Sequence, residues 1–583
     1  MFDLKLDPAR PPTGGIAARR SVGALAGLVA AGAGLAAAEV VGAATRPEAT
    51  PLLVVGDAVV DLTPPPLKDL AVTLLGTADK PVLLGGIAAV LAVAAALIGI
   101  AARRRDTVGA FGIAGIALFA SAGAAAAVTR PDGGPFDVLP SVLGGAVTYV
   151  VLRLLSASAP PAAPGRRPPV SGAVDLPGDG DPAGSAGSAE PADRHPGSPA
   201  AGADVDPVAL PSPRHPEEPS SGFDRRRFVL LAGATAAASA AAGGGARWYA
   251  SARADAVAAD RAIRLPRPAV PAPALPDGAE LDIDGLSSFF TPNDSFYRID
   301  TALSVPRLDA TTWSLRVHGR GAREREYSFD DLLGRPDLME RDVTLACVSN
   351  PVGGSYVGNA RWIGVPVAAL LREAGVRSPA DGGSADQLVS RSSDGMTIGT
   401  PVADVLDGRD AMLAVGMNGR PLPVEHGFPV RMVVPGLYGY VSACKWLVEL
   451  ELTSFADFDA YWVPRGWSAR GPIKTQSRID TPRDGDRIAS GRVAVAGVAW
   501  AQHVGVDAVE VRIDNGPWQQ ARLAEEDSSD TWRQWVLEWD AEPGDHRIGV
   551  RATDREGRPQ TGTQAPVAPD GATGHHVVEL SVN

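Results

Sequence analysis

Four apolar stretches crowd into the first 155 residues of this 583-residue chain, and they limit what the rest of it can be. They run from about Ser21 to Ala44, Pro81 to Ala102, Val108 to Val128 and Phe136 to Leu155. They are rich in Ala, Gly, Val and Leu and hold no central carboxylate, apart from Glu39 near the end of the first. Each is long enough to cross about 30 Å of hydrocarbon at roughly 1.5 Å per helical residue. Residues 1–155 are therefore expected to form a membrane domain of four transmembrane helices. Basic residues set its orientation, because cytoplasmic loops carry an excess of Lys and Arg. Lys5, Arg10, Arg19 and Arg20 precede the first stretch, Arg103, Arg104 and Arg105 follow the second, and Arg153, Arg166 and Arg167 close the fourth. The opposite loops hold Arg46, Lys68, Lys80 and Arg130. The amino terminus is thus expected in the cytoplasm.

Residues 156–224 are dominated by Pro, Ala, Gly, Ser and Asp. Such a composition cannot bury enough apolar surface to offset the entropy lost on folding, so it reads as a disordered cytoplasmic linker. It leads into "DRRRFVLLAGATAAASAAAG", where Arg225, Arg226 and Arg227 precede a short apolar run from Phe228. Residues 225–250 are either a fifth transmembrane segment with its basic flank inside or an internal signal of twin-arginine type. Both place everything after about residue 250 outside the cytoplasm.

That exported part divides near "SRIDTPRDGDRIASG". Before it, over residues 265–475, helix-like segments such as "PVAALLREAG" mix with strand-like ones such as "FPVRMVVPG", an α+β signature. After it, over residues 476–583, the period changes to two. In "VDAVEVRID" Val509, Val511 and Ile513 share one face while Glu510 and Arg512 take the other, and "DNGPW" supplies an Asn-Gly turn. Several such strands predict a small immunoglobulin-like β-sandwich.

Several chemistries can be set aside. A formal charge of −13 argues against a nucleic-acid partner. Two cysteines, Cys347 and Cys444, build neither a disulfide framework nor a four-thiolate iron–sulfur site, and they rule out a covalently attached c-type haem. All eight histidines lie outside the apolar stretches, so the membrane domain offers no imidazole pair to a haem. There is no dinucleotide or phosphate-loop motif, no HExxH and no GxSxG elbow.

The segment "VTLACVSNPVGG" then stands out. A buried cysteine by itself is usually inert packing. Here an apolar strand delivers Cys347 into a loop where Gly353 and Gly354 permit close approach and Asn350 offers an amide. A thiolate beside such room suits a soft metal with a bulky cofactor. Farther on, "MNGRPLPVEHGFPVRMVVPGLYGYVSACKWL" carries His426, Arg431 and Lys445 on a strand and loop rich in Pro and Gly. Three such groups converging read as an anion site, since arginine offers forked donors and lysine a point charge; scattered surface pairs are the alternative.

Together with "NDSFYRIDTAL" from Asn293, these segments resemble the molybdenum-cofactor domain of the sulfite oxidase family, over about Leu281 to Ser477. The resemblance implies that Cys347, in "TLACVSN", ligates the molybdenum of one molybdopterin, and that Asn350 belongs to the same element. It implies that His426 and Arg431 of "HGFPVR", with Ser442 and Lys445 of "SACKWL", hold the pterin and its phosphate, with Asn293 and Asp394 as further cofactor contacts. Either of the last two could instead serve a turn. Arg298 matches the family arginine beside the metal, where it would attract an oxyanion as a catalytic residue. The carboxy-terminal sandwich resembles that family's dimerisation domain, so a homodimer is implied.

The pattern also departs from the family. Counted back from Pro401, Met396 falls where sulfite oxidases place a tyrosine. Ile299 and Asp300 replace the asparagine and histidine of the animal and plant enzymes, and an inward Asp300 carboxylate would repel an anion. The expected whole is a multi-domain, membrane-anchored molybdopterin oxidoreductase with its catalytic domain outside the cytoplasm. It would transfer an oxygen atom, with sulfite or a related small sulfur compound as substrate. An external electron acceptor is required, such as a cytochrome or a quinone-linked protein, without haem or iron–sulfur in the chain. The alternatives are a reductase of sulfoxides using the same cofactor and a non-enzymatic membrane receptor.

Overall fold

The computed structural model describes residues 14–63, 79–102, 107–130, 134–157, 225–260 and 263–583. The expected linker lies outside them except for its first two residues. Among the described residues six helices precede residue 263: α1 (Gly14–Ala44), α2 (Pro51–Leu62), α3 (Asp79–Ala102), α4 (Thr107–Thr129), α5 (Leu139–Ala157) and α6 (Arg225–Asp260). Among the described residues four helices are long and apolar enough to cross a membrane, at Arg20–Ala44, Val82–Ala102, Pro135–Ser156 and Arg226–Tyr249. The third apolar stretch is helical throughout α4, but its uninterrupted apolar section, Ile113–Thr129, is shorter. Helix α2 falls in a segment expected to be a loop; its 12 residues are too few to span and it begins at a proline, which suits a first helical turn.

Small residues let these helices meet. A Cβ at Gly27 of α1 would collide with the Ala95 carbonyl of α3, and one at Gly34 would meet Thr148 of α5. Close backbone approach of this kind is how helices pack where lipid offers no hydrophobic drive. Glu39, the lone carboxylate of α1, pairs with Arg247 of α6 at 3.3 Å, so its charge has a partner from the far end of the helical region.

The part after the helices begins with two sheets. Strands β1 (Ser314–Gly319), β2 (Arg325–Ser328), β5 (Gln387–Ser392), β6 (Thr397–Pro401) and β10 (Leu447–Thr453) form one, in the order β2-β1-β10-β5-β6, with β1 and β10 parallel. Strands β3 (Met339–Ala346), β4 (Val357–Pro366), β7 (Met412–Met417) and β8 (Arg420–Pro421) form the other, with β9 (Arg431–Val433) paired to β7. Short helices such as Val367–Glu373 cover them, and Leu315, Val365, Leu370, Leu388 and Leu450 share one core.

The carboxy-terminal region is β-rich. One sheet runs β11 (Gln476–Thr481), β13 (Gly491–Trp500), β17 (Arg533–Ala541), β16 (Arg522–Leu523). The other runs β12 (Arg487–Ile488), β19 (His576–Val582), β18 (Gly544–Asp554), β14 (Val506–Ile513), β15 (Gln519–Gln520). Val495 and Trp535 of the first meet Val509, Val511 and Ile548 of the second in a single core. The Asn-Gly turn joins β14 to β15 as an antiparallel hairpin.

Candidate active site

Strand β3 is buried along its last five residues, and its register against β4 pairs Ala346 with Val357. Cys347 follows at once, 8% exposed. Its backbone N–H donates to the Tyr356 carbonyl at 2.9 Å, and the Asn350 N–H donates back to the Cys347 carbonyl at 3.1 Å. The Sγ lies 3.0 Å from the Ser349 hydroxyl. Burial pushes the thiol pKa up, opposed by hydrogen bonds from Ser349. The glycines of this loop act differently from the expectation. Gly353, at φ +77°, has its Cα face against the His576 ring, and a Cβ at Gly354 would meet the Asn350 side chain. What approaches closely there is the carboxy-terminal region and the loop itself. The Asn350 Oδ1 accepts from the Tyr356 N–H at 2.8 Å and so closes the loop.

The cationic segment is folded by one glycine. Gly427, at φ +108°, lets the chain reverse after His426, and a Cβ there would stand 3.0 Å from that of Lys445 and 3.1 Å from that of Arg431. The reversal brings all three groups together. His426 Nε2 is 2.9 Å from the Asn293 carbonyl oxygen, while Arg431 donates to the His426 carbonyl at 3.2 Å and lies 5.0 Å over the Trp362 ring. Lys445 donates to Asp300 at 2.9 Å and to the Glu425 carbonyl at 3.3 Å, with its Nζ 4.4 Å over the Trp446 ring.

One cavity of about 150 Å³ joins the two segments, lined among others by Cys347, Asp394, His426, Arg431 and Lys445. Asp300 and Met396 also line it. Asn293, Asn350, Ser442 and Arg298 are not among its lining residues. Asn293 accepts from the Asn418 amide at 2.8 Å and holds His426 through its carbonyl. Ser442 donates to the carbonyls of Leu437 and Tyr438 at 2.9 and 3.0 Å. Arg298 pairs with Asp300 at 2.8 Å, its own side chain 40% exposed. Asp300 therefore does point inward, but between two cations. Sequence reasoning passed over Tyr297, which lines the cavity; burial and the neighbouring Cys347 raise its phenol pKa, against a smaller opposing effect of Arg431. No periodicity marks it, because residues 296–300 are irregular. Cys444 is fully buried, its thiol pushed up to about 12 by burial, as inert packing would be.

Burial disfavours every cation here. It draws Arg431 down to about 10 and Lys445 down to about 8, and it lowers His426. The Arg431 Nε, buried, has no hydrogen-bond partner among the described residues. A buried donor without an acceptor is costly, by about 1–3 kcal/mol. The arrangement asks for an anion.

Known proteins match the same stretch of chain. A family model described as the oxidoreductase molybdopterin binding domain matches residues 302–462. Mitochondrial sulfite oxidase of Homo sapiens is 30% identical over 324 residues, covering 48% of this chain and 59% of that protein. The uncharacterized oxidoreductase YuiH of Bacillus subtilis (strain 168) is 32% identical over 163 residues, 28% of this chain and 76% of that protein. The chain belongs to the sulfite oxidase family of molybdopterin oxidoreductases. The match to that family model contains Cys347, Asp394, His426, Arg431 and Lys445 and leaves out Asn293, Arg298 and all of α1–α6. The chain spans 59% of the length of the human relative. Crystalline sulfane dehydrogenase SoxCD from Paracoccus pantotrophus aligns at a TM-score of 0.44 with 22% identity, covering 51% of this chain and 84% of that chain.

The donor set fits the family's cofactor. An unpartnered guanidinium N–H, the Lys445 ammonium and the His426 imidazole suit a phosphate-bearing pterin, and a neutral, buried thiol is deprotonated readily once a metal ion stands beside it.

Proposed function

We propose that this protein is a membrane-anchored oxidoreductase that transfers an oxygen atom, oxidising sulfite or another small sulfur oxyanion and passing the electrons to an external acceptor. The observation that carries this reading is the convergence of Cys347 with Arg431, Lys445 and His426 on one cavity. Cys347 would ligate the molybdenum. Arg431, through its free Nε, and Lys445 would hold the pterin phosphate, with His426 kept in place by the Asn293 carbonyl. Bound molybdopterin would supply the two-electron couple that oxygen-atom transfer requires. Asp300 is flanked by Lys445 and Arg298, which offset its carboxylate, and Arg298 acts through Asp300. Trp446, Trp462 and Trp467 give the cavity apolar walls. The loops carrying Arg46 and Arg130 face the catalytic part, while Arg20, Arg153, Arg226 and Arg227 lie towards the other helix ends. That supports a catalytic domain outside the cytoplasm. The two carboxy-terminal sheets around one core support the immunoglobulin-like reading, and with it a homodimer.

Purified full-length protein is expected to carry stoichiometric molybdenum and to reduce an artificial acceptor with sulfite, and Cys347→Ser to abolish turnover. Well-folded protein free of molybdenum after expression in a cofactor-producing host would end this reading.

A further inference from the structure

The cavity holding Cys347 has a larger neighbour. At Thr301, Asp394 and Met396 it meets a second, larger chamber of about 360 Å³, since these three residues line both. The far wall of that chamber is built from the helical region: Arg46, Glu48, Asp57 and Arg130 line it opposite Arg307 and Arg465 of the catalytic part. The helical side is braced rather than loosely apposed. Arg130 donates to the Glu48 carbonyl at 2.9 Å and pairs with Asp57 at 3.1 Å, tying α4 to α2, and Arg46 pairs with Asp137 at 3.0 Å. Leu303 of the catalytic part seats against α2 where there is no side chain, its Cδ1 2.7 Å from the place a Gly56 Cβ would occupy.

We propose that the helical region is a roof over the active-site mouth and acts as a specificity element, admitting small anions through the chamber and excluding substrates borne on a peptide or protein. This rests on the oxidoreductase reading above for what lies beneath the roof. A chamber of this size is at the low end of small-molecule sites. Arginines and carboxylates alternate on its walls, Arg46, Arg130, Arg307 and Arg465 against Glu48, Asp57 and Asp394, so the chamber is polar and suits a small hydrated ion entering sideways at the membrane surface. A sulfite-sized oxyanion passes; a sulfoxide within a folded protein does not reach Cys347. The role of the helices is then steric.

Two measurements on the full-length protein in membranes test this without relying on turnover. In the first, Gly56→Cys is combined with Leu303→Cys and treated with a short bifunctional thiol reagent. An intramolecular cross-link is expected in the double variant and in neither single one. If crowding prevents that variant from folding, Asp57→Cys with Ser304→Cys and a longer reagent asks the same question; absence of a cross-link in folded, molybdenum-loaded protein of either pair overturns the roof. In the second, Met396→Cys, at the junction of the two chambers, is labelled with a small charged methanethiosulfonate and with a polymer-linked maleimide. The small reagent is expected to react many-fold faster, and Leu303→Asp, which places a charge in the apolar seat, to bring the polymer up to comparable speed. Equal rates in the parent refute size exclusion. Lack of sulfite turnover would sink the oxidase reading alone, because neither measurement depends on it.

Discussion

Burial draws the Lys445 ammonium from its ordinary 10.5 down to about 8, even though Asp300 accepts its hydrogen bond at 2.9 Å. Between those two values the unfolded chain binds more protons than the folded one, so in cofactor-free protein this group makes stability rise with pH across that window. An anion seated beside the ammonium favours the charged form instead, and its binding takes up a proton once pH exceeds about 8. The affinity of cofactor-free protein for a phosphate-bearing pterin is therefore expected to fall above that pH, by up to about tenfold per pH unit. Lys445→Met should flatten the profile while lowering affinity throughout; a parent profile already flat there would count against a cation seat at this position. Arg431 makes a different demand. Its fork must donate to His426, lie on Trp362 and leave Nε free, which a point charge cannot do. Arg431→Lys keeps the charge yet is expected to lose about 1.5–3 kcal/mol of cofactor binding, seen as molybdenum lost on dialysis. Residues like these were legible because their motifs fix spacing on a strand and its turn. The directions of Tyr297 and Arg298 were not, since an irregular segment has no period to read. Asp300 shows the same limit: the sequence marked its charge but gave no sign of the two cations that flank it.

At the scale of elements, the turn after His426 is the part most exposed to a single change. Gly427→Ala forces a side chain into a left-handed conformation, for about 1–3 kcal/mol of strain, and drives its methyl toward Lys445 and Arg431. The expected result is a lower thermal midpoint together with weaker molybdenum retention, measured on the same preparation; retention unchanged at a lowered midpoint would separate the turn from the site. Alternation made the carboxy-terminal strands readable: Val509 and Val511 are buried and Glu510 and Arg512 are only half-buried, as a period of two requires. Helix α2 escaped because a 12-residue apolar helix meets no span-length criterion, and its function comes from position. Leu303 docks on it across more than two hundred residues of sequence, and no local pattern encodes that.

For the whole molecule, the question is whether the carboxy-terminal sheets are an appendage or part of the catalytic unit. Thr344, three residues before Cys347, answers structurally. Its hydroxyl accepts from the Trp532 N–H at 2.7 Å and donates to Asn359 at 3.0 Å, its N–H donates to the Asp530 carbonyl at 2.9 Å, and its carbonyl accepts from Gln502 at 3.2 Å. Trp532 itself is buried in the catalytic core and donates from its ring to the Phe289 carbonyl at 3.0 Å. Arg478 reaches the Gly354 carbonyl at 3.0 Å while His576 abuts Gly353, so the same region grips the loop beyond Cys347. The thiol is thus held on both sides by residues that come more than a hundred positions later. Thr344→Val keeps the shape, strands the Trp532 N–H and the Asn359 oxygen, and should destabilise by about 1–3 kcal/mol. Because the clamp is shared, both regions are expected to unfold in one calorimetric transition, with molybdenum release coinciding with it, and the variant to shift that single transition downward. Two resolved transitions in the parent, with molybdenum leaving at only one of them, would show that the carboxy-terminal sheets merely adjoin the site.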